Sequence, residues 1–454
     1  MEPFRYHAYI CTQQKQEGAP SCNNAGAEKV LVSLKNKLAE NNLTDQVQVT
    51  PCGCLGICEK GPNMVVYPEG HWYSGLTPEN VGRIVDEHLL NHAPVDDLLV
   101  RDQEATRQEI MEHTKKVAGM KAMMEKAGVI PDELNRFIIG FMESRIMLTA
   151  IELDLFSAIG SGATAVEAAG KIGAHPRATE KLMNALTALE IMEKEGDLYK
   201  NSPLAAKFLA KGSEFDSRMS SMHAVGLWHS WSTLTDCVKK GTSVNLEKRK
   251  ERDENATRAF IAAMHKNASF RARQVIRMIN LEGVDHVLDL GGGSGAYSIA
   301  FVKEKPGIKA TIFDLAPVVS LAKNYIAEAG ISENVEFVAG DMKEDSLGNG
   351  YDLVWISAIC HMWGPDENLA LMQKVYKALN PGGRIVIQDF ILNDEGTAPR
   401  MGAVFAMNML VNTKAGSSYS QKEYIDWLTV AGFAKTESLS LSGPTDLIFS
   451  TKST

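Results

Sequence analysis

The sequence is short of three things, and each shortage excludes a class of protein. It contains no uninterrupted apolar run of about 18 residues, the length a helix needs to cross a bilayer. No membrane span is therefore expected. The first residues also lack the charged start and apolar centre of a secretory leader, so a cytoplasmic location is the expectation. Positive charge is in deficit, with 47 Lys and Arg against 56 Asp and Glu, a formal net charge of −9. That balance argues against nucleic acid as a partner, because binding it rests on cationic side chains. Cysteine is scarce, seven in 454 residues, yet Cys11, Cys22, Cys52, Cys54 and Cys58 all fall in the first 58. In a reducing compartment such a cluster reads as a metal site before it reads as disulfides.

What is present is ordinary in bulk and specific in places. A chain of 454 residues is too long for one core and implies two or three domains. A hydrophobic share of 44% and a charged share of 23% are those of a globular protein.

The chain is organised around Val287-Leu-Asp-Leu-Gly-Gly-Gly-Ser-Gly295. Val287, Leu288 and Leu290 read as a buried parallel strand, and Ala296 to Lys305 resumes a helical pattern. Glycine between them lets the backbone turn and approach a ligand. Strand, Gly-rich turn and helix make the first βα unit of a Rossmann-like sheet. Gly291, Gly293 and Gly295 give G-x-G-x-G, not the dinucleotide G-x-G-x-x-G. Asp289 ends the strand, and the next strand, Ala310-Thr-Ile-Phe-Asp314, ends in a carboxylate placed for two ribose hydroxyls. A third strand, Val335 to Ala339, leads into Gly340-Asp341-Met342, where a carboxylate and an apolar side chain can hold an adenine. This suits a nucleoside without phosphates.

The set resembles the S-adenosylmethionine site of the class I methyltransferases. The resemblance implies cofactor contacts from Asp289, Gly291, Gly293 and Gly295 in the first unit. It adds Asp314 and Leu315 after the second strand, Asp341 and Met342 after the third, Ser357 after the fourth, and Met264 near the sulfonium end.

Residues 1–95 alternate strand and helix patterns: strands at Tyr6–Ile10, Val47–Thr50 and Asn63–Tyr67, helices at Ala25–Glu40 and Pro78–Leu90. Cys11-x10-Cys22 and Cys54-x3-Cys58 supply two thiolate pairs from loops at strand ends. Four thiolates suit a [2Fe-2S] cluster. They would also satisfy tetrahedral Zn²⁺, although neither pair has the usual C-x2-C spacing. The segment, including Cys54-Leu-Gly-Ile-Cys58-Glu-Lys-Gly-Pro62 and the Tyr67-Pro-Glu-Gly hairpin running to Tyr73, resembles the thioredoxin-like [2Fe-2S] ferredoxins throughout. That resemblance implies a cluster held by Cys11, Cys22, Cys54 and Cys58, with Cys52 spare, and a redox partner for the domain.

Residues 96–130 read as an exposed helical linker, charged and Met-rich from Asp102 to Lys126. Residues 131–240 give short helices and a hairpin at Glu195-Gly-Asp197, and resemble the winged-helix dimerisation region of the small-molecule O-methyltransferases. The segment His175 to Ile191 carries few basic residues beyond Arg177 and Lys181, so a homodimer and not DNA binding is expected. Residues 241–454 are the Rossmann-like catalytic domain. The fold expected is α/β: a thioredoxin-like [2Fe-2S] ferredoxin, an α-helical winged-helix dimerisation domain, and a class I methyltransferase.

The fourth catalytic strand, Tyr351 to Ile356, ends in Ser357-Ala-Ile-Cys-His361-Met-Trp363. Methyl transfer needs proximity and removal of a proton from the acceptor. An imidazole titrates near neutrality and suits that task. The context of His361 resembles the segment carrying the base in these O-methyltransferases, and Asp389 matches the carboxylate that orients it. A second acidic partner is expected after Leu410, but Asn412 to Ser418 contains none. The same resemblance puts Trp228, His229, Trp363 and Asn408 in the acceptor pocket. The function expected is S-adenosylmethionine-dependent O-methylation of a small aromatic or quinone-like hydroxyl, with the ferredoxin reducing a quinone to expose that hydroxyl. Two alternatives stand beside it: a reductant-dependent hydroxylase using the same cofactor, and a redox-gated sensor.

Overall fold

The computed structural model describes residues 3–15, 19–246 and 254–453. The chain forms two compact units, one ending at Ile139 and one beginning at Gly140. Among the described residues no helix is long and apolar enough to cross a membrane.

The first unit is built on a four-stranded sheet in the order β2-β1-β3-β4. Its strands are β1 (Tyr6–Cys11), β2 (Val47–Cys52), β3 (Met64–Tyr67) and β4 (His71–Tyr73). β1 and β2 run parallel with Cys11 opposite Cys52, and β3 pairs antiparallel with β1. The helix Ala27–Glu40 packs Ala27, Val30, Leu31, Leu34 and Leu38 inward, the stripe of a 3.6-residue period. The second helix starts later than its sequence pattern predicts, at Val81. Thr77 N–H donates to Asn80 Oδ1 (2.7 Å) and Asn80 N–H to Thr77 Oγ1 (3.1 Å), which holds residues 77–80 as a turn. From Ile84 to Leu90 it is a π-helix. The helix Gln103–Lys126 begins where Asp102 Oδ1 caps Ala105 N–H at 2.9 Å.

The second unit opens with a helical region whose core joins Ile151, Leu155, Phe156, Met183, Leu186 and Tyr199. Thr164 and Glu167 form a capping box at the helix Ala165–Ile172. The hairpin of β5 (Met192–Glu195) and β6 (Leu198–Asn201) turns at Gly196, whose φ of +59° a side-chain-bearing residue would resist. The helices Pro176–Ala188, Arg218–Trp231 and Glu254–Arg277 lead into the catalytic sheet.

That sheet has seven strands: β7 (His286–Leu290), β8 (Lys309–Asp314), β9 (Val335–Ala339), β10 (Tyr351–Ser357), β11 (Leu379–Asp389), β14 (Phe433–Leu439) and β15 (Asp446–Lys452). Between them, β12 (Ile391–Leu392) and β13 (Tyr419–Ser420) form a separate pair. The order is β14-β15-β11-β10-β7-β8-β9, with β7 to β11 parallel. Both faces are covered, and alternate residues sort between them. Leu288, Leu290, Val354, Ile356, Ile385 and Ile387 face one side, while Val287, Leu353, Trp355, Ala310, Ile312 and Val386 face the other.

The sequence predicts a turn at Pro381-Gly-Gly383 before a strand at Arg384. Instead β11 begins at Leu379, and its register shifts where Tyr351 pairs with Leu379 and Leu353 with Arg384. Proline and glycine are accommodated inside a bulged strand, where the ladder is already broken. Strand order reverses between β7 and β10. The carboxyl ends there form the crevice in which open α/β sheets bind ligands.

Candidate functional site

At the β7 end, Asp289 is 2% exposed and its Oδ2 accepts from Ser298 Oγ (2.7 Å) and Ser298 N–H (3.1 Å). Burial pushes its carboxyl up to about 6, against the two Ser298 bonds. This residue ties strand to helix beneath the glycine loop. Gly291 has φ +71°, and a Cβ on it would overlap Ile359 and crowd Met342. Gly293, at φ +58°, faces open space, so that side of the loop can take a ligand where any side chain would intrude.

Asp314 leaves β8 half-buried beside the loop. Its Oδ2 accepts Gly293 N–H (2.8 Å) and its Oδ1 accepts Leu315 N–H (2.7 Å). Burial raises its pKa, and those two N–H groups oppose the rise. Each oxygen retains a lone pair for a hydroxyl donor. Leu315, 53% exposed, offers an apolar face next to it. Asp341 is exposed and accepts Lys343 N–H at 2.9 Å. Ser357 donates to Gln388 Oε1 at 3.3 Å, and the Tyr297 hydroxyl also donates there. Met264 is half-buried, and its neighbour His265 meets Ser294 Oγ of the loop at 2.8 Å. Sequence reasoning missed Tyr297, Gln388 and His265, whose partners lie far along the chain.

At the ends of β10 and β11, His361 Nδ1 lies 2.6 Å from Asp389 Oδ1. A carboxylate can only accept, so Nδ1 carries the hydrogen and Nε2 keeps its lone pair. Asp389 is fully buried and also accepts the backbone N–H of His361 (3.2 Å) and Phe390 (2.8 Å). The Phe405 ring meets the imidazole edge-on at 4.9 Å and stacks on Phe390 at 3.8 Å. These two aromatics were not anticipated; Phe390 adjoins Asp389, which was the available signal. The absent second carboxylate has a partial steric reason. A Cβ on Gly416 would collide with the His361 carbonyl, so this position of the loop can carry no side chain.

The expected acceptor-pocket residues fall in three places. Asn408 Oδ1 accepts Trp231 Nε1–H at 3.0 Å, joining two helices. Trp363 packs under Lys343 Nζ, 4.8 Å from its ring centroid. Trp228 lies under the Arg145 guanidinium at 5.5 Å, and His229 is exposed.

In the first unit the cysteines gather as two pairs. Cys54 Sγ and Cys58 Sγ are 3.1 Å apart, and Cys22 hydrogen-bonds to Cys11, which lowers the pKa of the Cys11 thiol. Asn63 Nδ2 approaches Cys22 Sγ at 3.4 Å, and Gly61 leaves room that a Cβ would take from that sulfur. A single tetrahedral ion would draw all four sulfurs to roughly 3.8 Å spacing. Among the described residues, the group within 4.8 Å of Cys54 and Cys58 is completed by His113, not by Cys11 or Cys22. Two separated pairs fit the two irons of a [2Fe-2S] cluster, which supplies one-electron redox chemistry when bound. Cys52 lies opposite Cys11 and in neither pair. Lys15 Nζ, unanticipated, stands 3.1 Å from both Cys58 Sγ and His113 Nε2. His113 comes from the helix Gln103–Lys126, which also supplies Glu109 to Lys60 at 2.6 Å.

Comparison with known proteins matches these parts. Family models match a thioredoxin-like [2Fe-2S] ferredoxin at residues 5–89, an O-methyltransferase dimerisation domain at 135–211 and an O-methyltransferase domain at 231–434. The 3-hydroxy-5-methyl-1-naphthoate 3-O-methyltransferase of Streptomyces sahachiroi is 30% identical over 320 residues, 69% of this chain and 92% of the relative. The tetracenomycin polyketide synthesis 8-O-methyl transferase TcmO of Streptomyces glaucescens is 27% identical, across 71% of this chain and 97% of the relative. Human N-acetylserotonin methyltransferase in complex with S-adenosylmethionine superposes with a TM-score of 0.63 at 25% identity, covering 71% of this chain and 97% of that one. The chain belongs to the S-adenosylmethionine-dependent O-methyltransferases that act on small molecules, and it carries a thioredoxin-like [2Fe-2S] ferredoxin domain ahead of that enzyme.

Proposed function

We propose that the acceptor is the hydroxyl of a small aromatic or quinone-derived molecule, and that His361 takes its proton. The observation carrying this reading is the bond of His361 Nδ1 to buried Asp389, which turns Nε2 into the available base. The stacked Phe390 and Phe405 beside the imidazole favour a flat acceptor. Two relatives whose names specify hydroxyls of a naphthoate and of a tetracenomycin polyketide point the same way.

S-adenosylmethionine supplies the methyl group. Asp314 would receive its ribose hydroxyls, Leu315 and Met342 would flank its adenine, and Met264 would pack near its sulfonium end. Trp231 and Asn408 brace the helices beside the acceptor, with Trp363, Trp228 and His229 as the remaining pocket candidates. The dimerisation region supports a homodimer. The ferredoxin domain supports a redox partner for Cys11, Cys22, Cys54 and Cys58, in a boundary scheme of 1–95, 96–130, 131–240 and 241–454.

The test is transfer of a labelled methyl group to a panel of hydroxyarenes and hydroquinones, with and without reductant. Transfer in His361→Ala should fall by roughly 10²–10⁴ at neutral pH and recover partly at alkaline pH with a phenol. Product formation that requires oxygen and reductant and carries no label would replace methyl transfer with hydroxylation.

A further inference from the structure

One group of ligating side chains belongs neither to the thiolates nor to the catalytic crevice. Glu69 lies in the turn after β3, His71 opens β4 across Gly70, and His88 projects from the π-helix Ile84–Leu90. One ligating atom from each lies within 4.8 Å of those of the other two.

We propose that Glu69, His71 and His88 form a binding site for a first-row divalent cation of the Zn²⁺ kind, clamping the β3–β4 turn to the helix. Two imidazoles bound to one tetrahedral ion at about 2.0–2.1 Å have ring centroids roughly 5 Å apart. The rings of His71 and His88 are 5.1 Å apart and nearly perpendicular. Glu69 Oε2 stands 4.0 Å from His88 Nε2, too far for a hydrogen bond. Two donors on a shared ion sit about 3.3–3.5 Å apart, so a small movement of the half-exposed Glu69 completes the set.

Two independent observations point to a ligand. His71 Nδ1 is buried with no hydrogen-bond partner, an arrangement that costs free energy unless something fills it. His88, 1% exposed, has its Nδ1 at 2.8 Å from the Tyr73 hydroxyl, a bond that fixes the ring and leaves Nε2 on the side of Glu69. Its carrier is a π-helix, a form frequent at functional sites. Glu69 and His71 also line a cavity of about 760 Å³, which gives an ion a way in.

The experiment uses full-length protein with its cluster in place, so that the thiolates are occupied. After chelation and desalting it is dialysed against Zn²⁺, and bound zinc is counted and examined by X-ray absorption. One zinc per chain in a shell of nitrogen and oxygen is expected, with the visible spectrum of the cluster unchanged. Glu69→Gln with His71→Asn should weaken binding at least tenfold. Because His88 is a core residue, these two more exposed positions carry the test, and retained cluster absorbance shows that the variant is folded. Sub-stoichiometric zinc, a sulfur shell, or equal binding by the variant would each overturn the site. In that case Glu69, His71 and His88 are packing residues only.

Discussion

Replacing Asp389 with Asn probes the catalytic geometry most sharply, because the two side chains share a shape and differ in what they can accept. The carboxylate receives three donors: the imidazole Nδ1–H, the His361 N–H and the Phe390 N–H. An amide offers one oxygen and one NH₂. With its oxygen towards Nδ1 and Phe390, the NH₂ faces the His361 N–H, donor against donor. Reversed, the NH₂ faces Nδ1, which must then accept, and the hydrogen moves to Nε2, where no proton can be taken. The first orientation keeps the Nδ1 bond and loses its charge assistance, about 1–1.5 kcal/mol. At 1.36 kcal/mol per decade, that predicts a rate loss of roughly 5–15-fold. The second approaches the loss expected for His361→Ala. Single-turnover labelled-methyl transfer reads the chemical step, and calorimetry with S-adenosylhomocysteine checks that cofactor binding is retained. A folded Asp389→Asn protein with an unchanged single-turnover rate would show that His361 needs no orienting carboxylate, and the base assignment would fall with it.

Three other outcomes are expected. Asp314→Ala should weaken S-adenosylhomocysteine by about 2–4 kcal/mol, measured calorimetrically, since both ribose hydroxyls lose a charged acceptor. Serine at Cys11, Cys22, Cys54 or Cys58 should lose or destabilise a centre of two irons and two sulfides, whereas Cys52→Ser should keep it, as iron and sulfide analysis will show. Asp289 has a folded pKa raised to about 6, so its contribution is fully present below an unfolded value of about 3.9 and is lost as pH rises through 6. Denaturant titrations from pH 4 to 7 should show a decline of about 2 kcal/mol from this group, absent in Asp289→Asn, which still accepts from Ser298.

The glycine loop, the strand-end carboxylates and the paired thiols were legible because each is a local pattern with few physical uses. Gly291 and Gly293 sit at positive φ where a turn and an open ligand side require it. Leu288 and Leu290 alternate with Val287 and Asp289 because both faces of a parallel sheet are covered. Misplaced boundaries had local causes too, but ones that periodicity does not carry. The mutual caps of Thr77 and Asn80 delay a helix by three residues, and a bulge absorbs Pro381-Gly-Gly383.

What escaped the sequence are pairings across distance. Gln388 accepts from Tyr297, 91 positions away, and His113 reaches Lys15 across 98. No spacing rule links such residues, because a fold brings them together only after its sheets are stacked. The second pairing changes how the ferredoxin segment must be understood. Read as a sequence, residues 102–126 are a linker, charged and without a partner. In the folded unit the same helix sets Ile110 against Gly56, Glu109 on Lys60 and His113 beside Cys58. Every one of those contacts falls on the Cys54–Cys58 loop or just beyond it. Lys15 Nζ, which lies against both Cys58 Sγ and His113 Nε2, is a cation that would favour negative charge on a cluster held there. The helix that leads out of the ferredoxin therefore packs on the Cys54–Cys58 loop and is part of that unit.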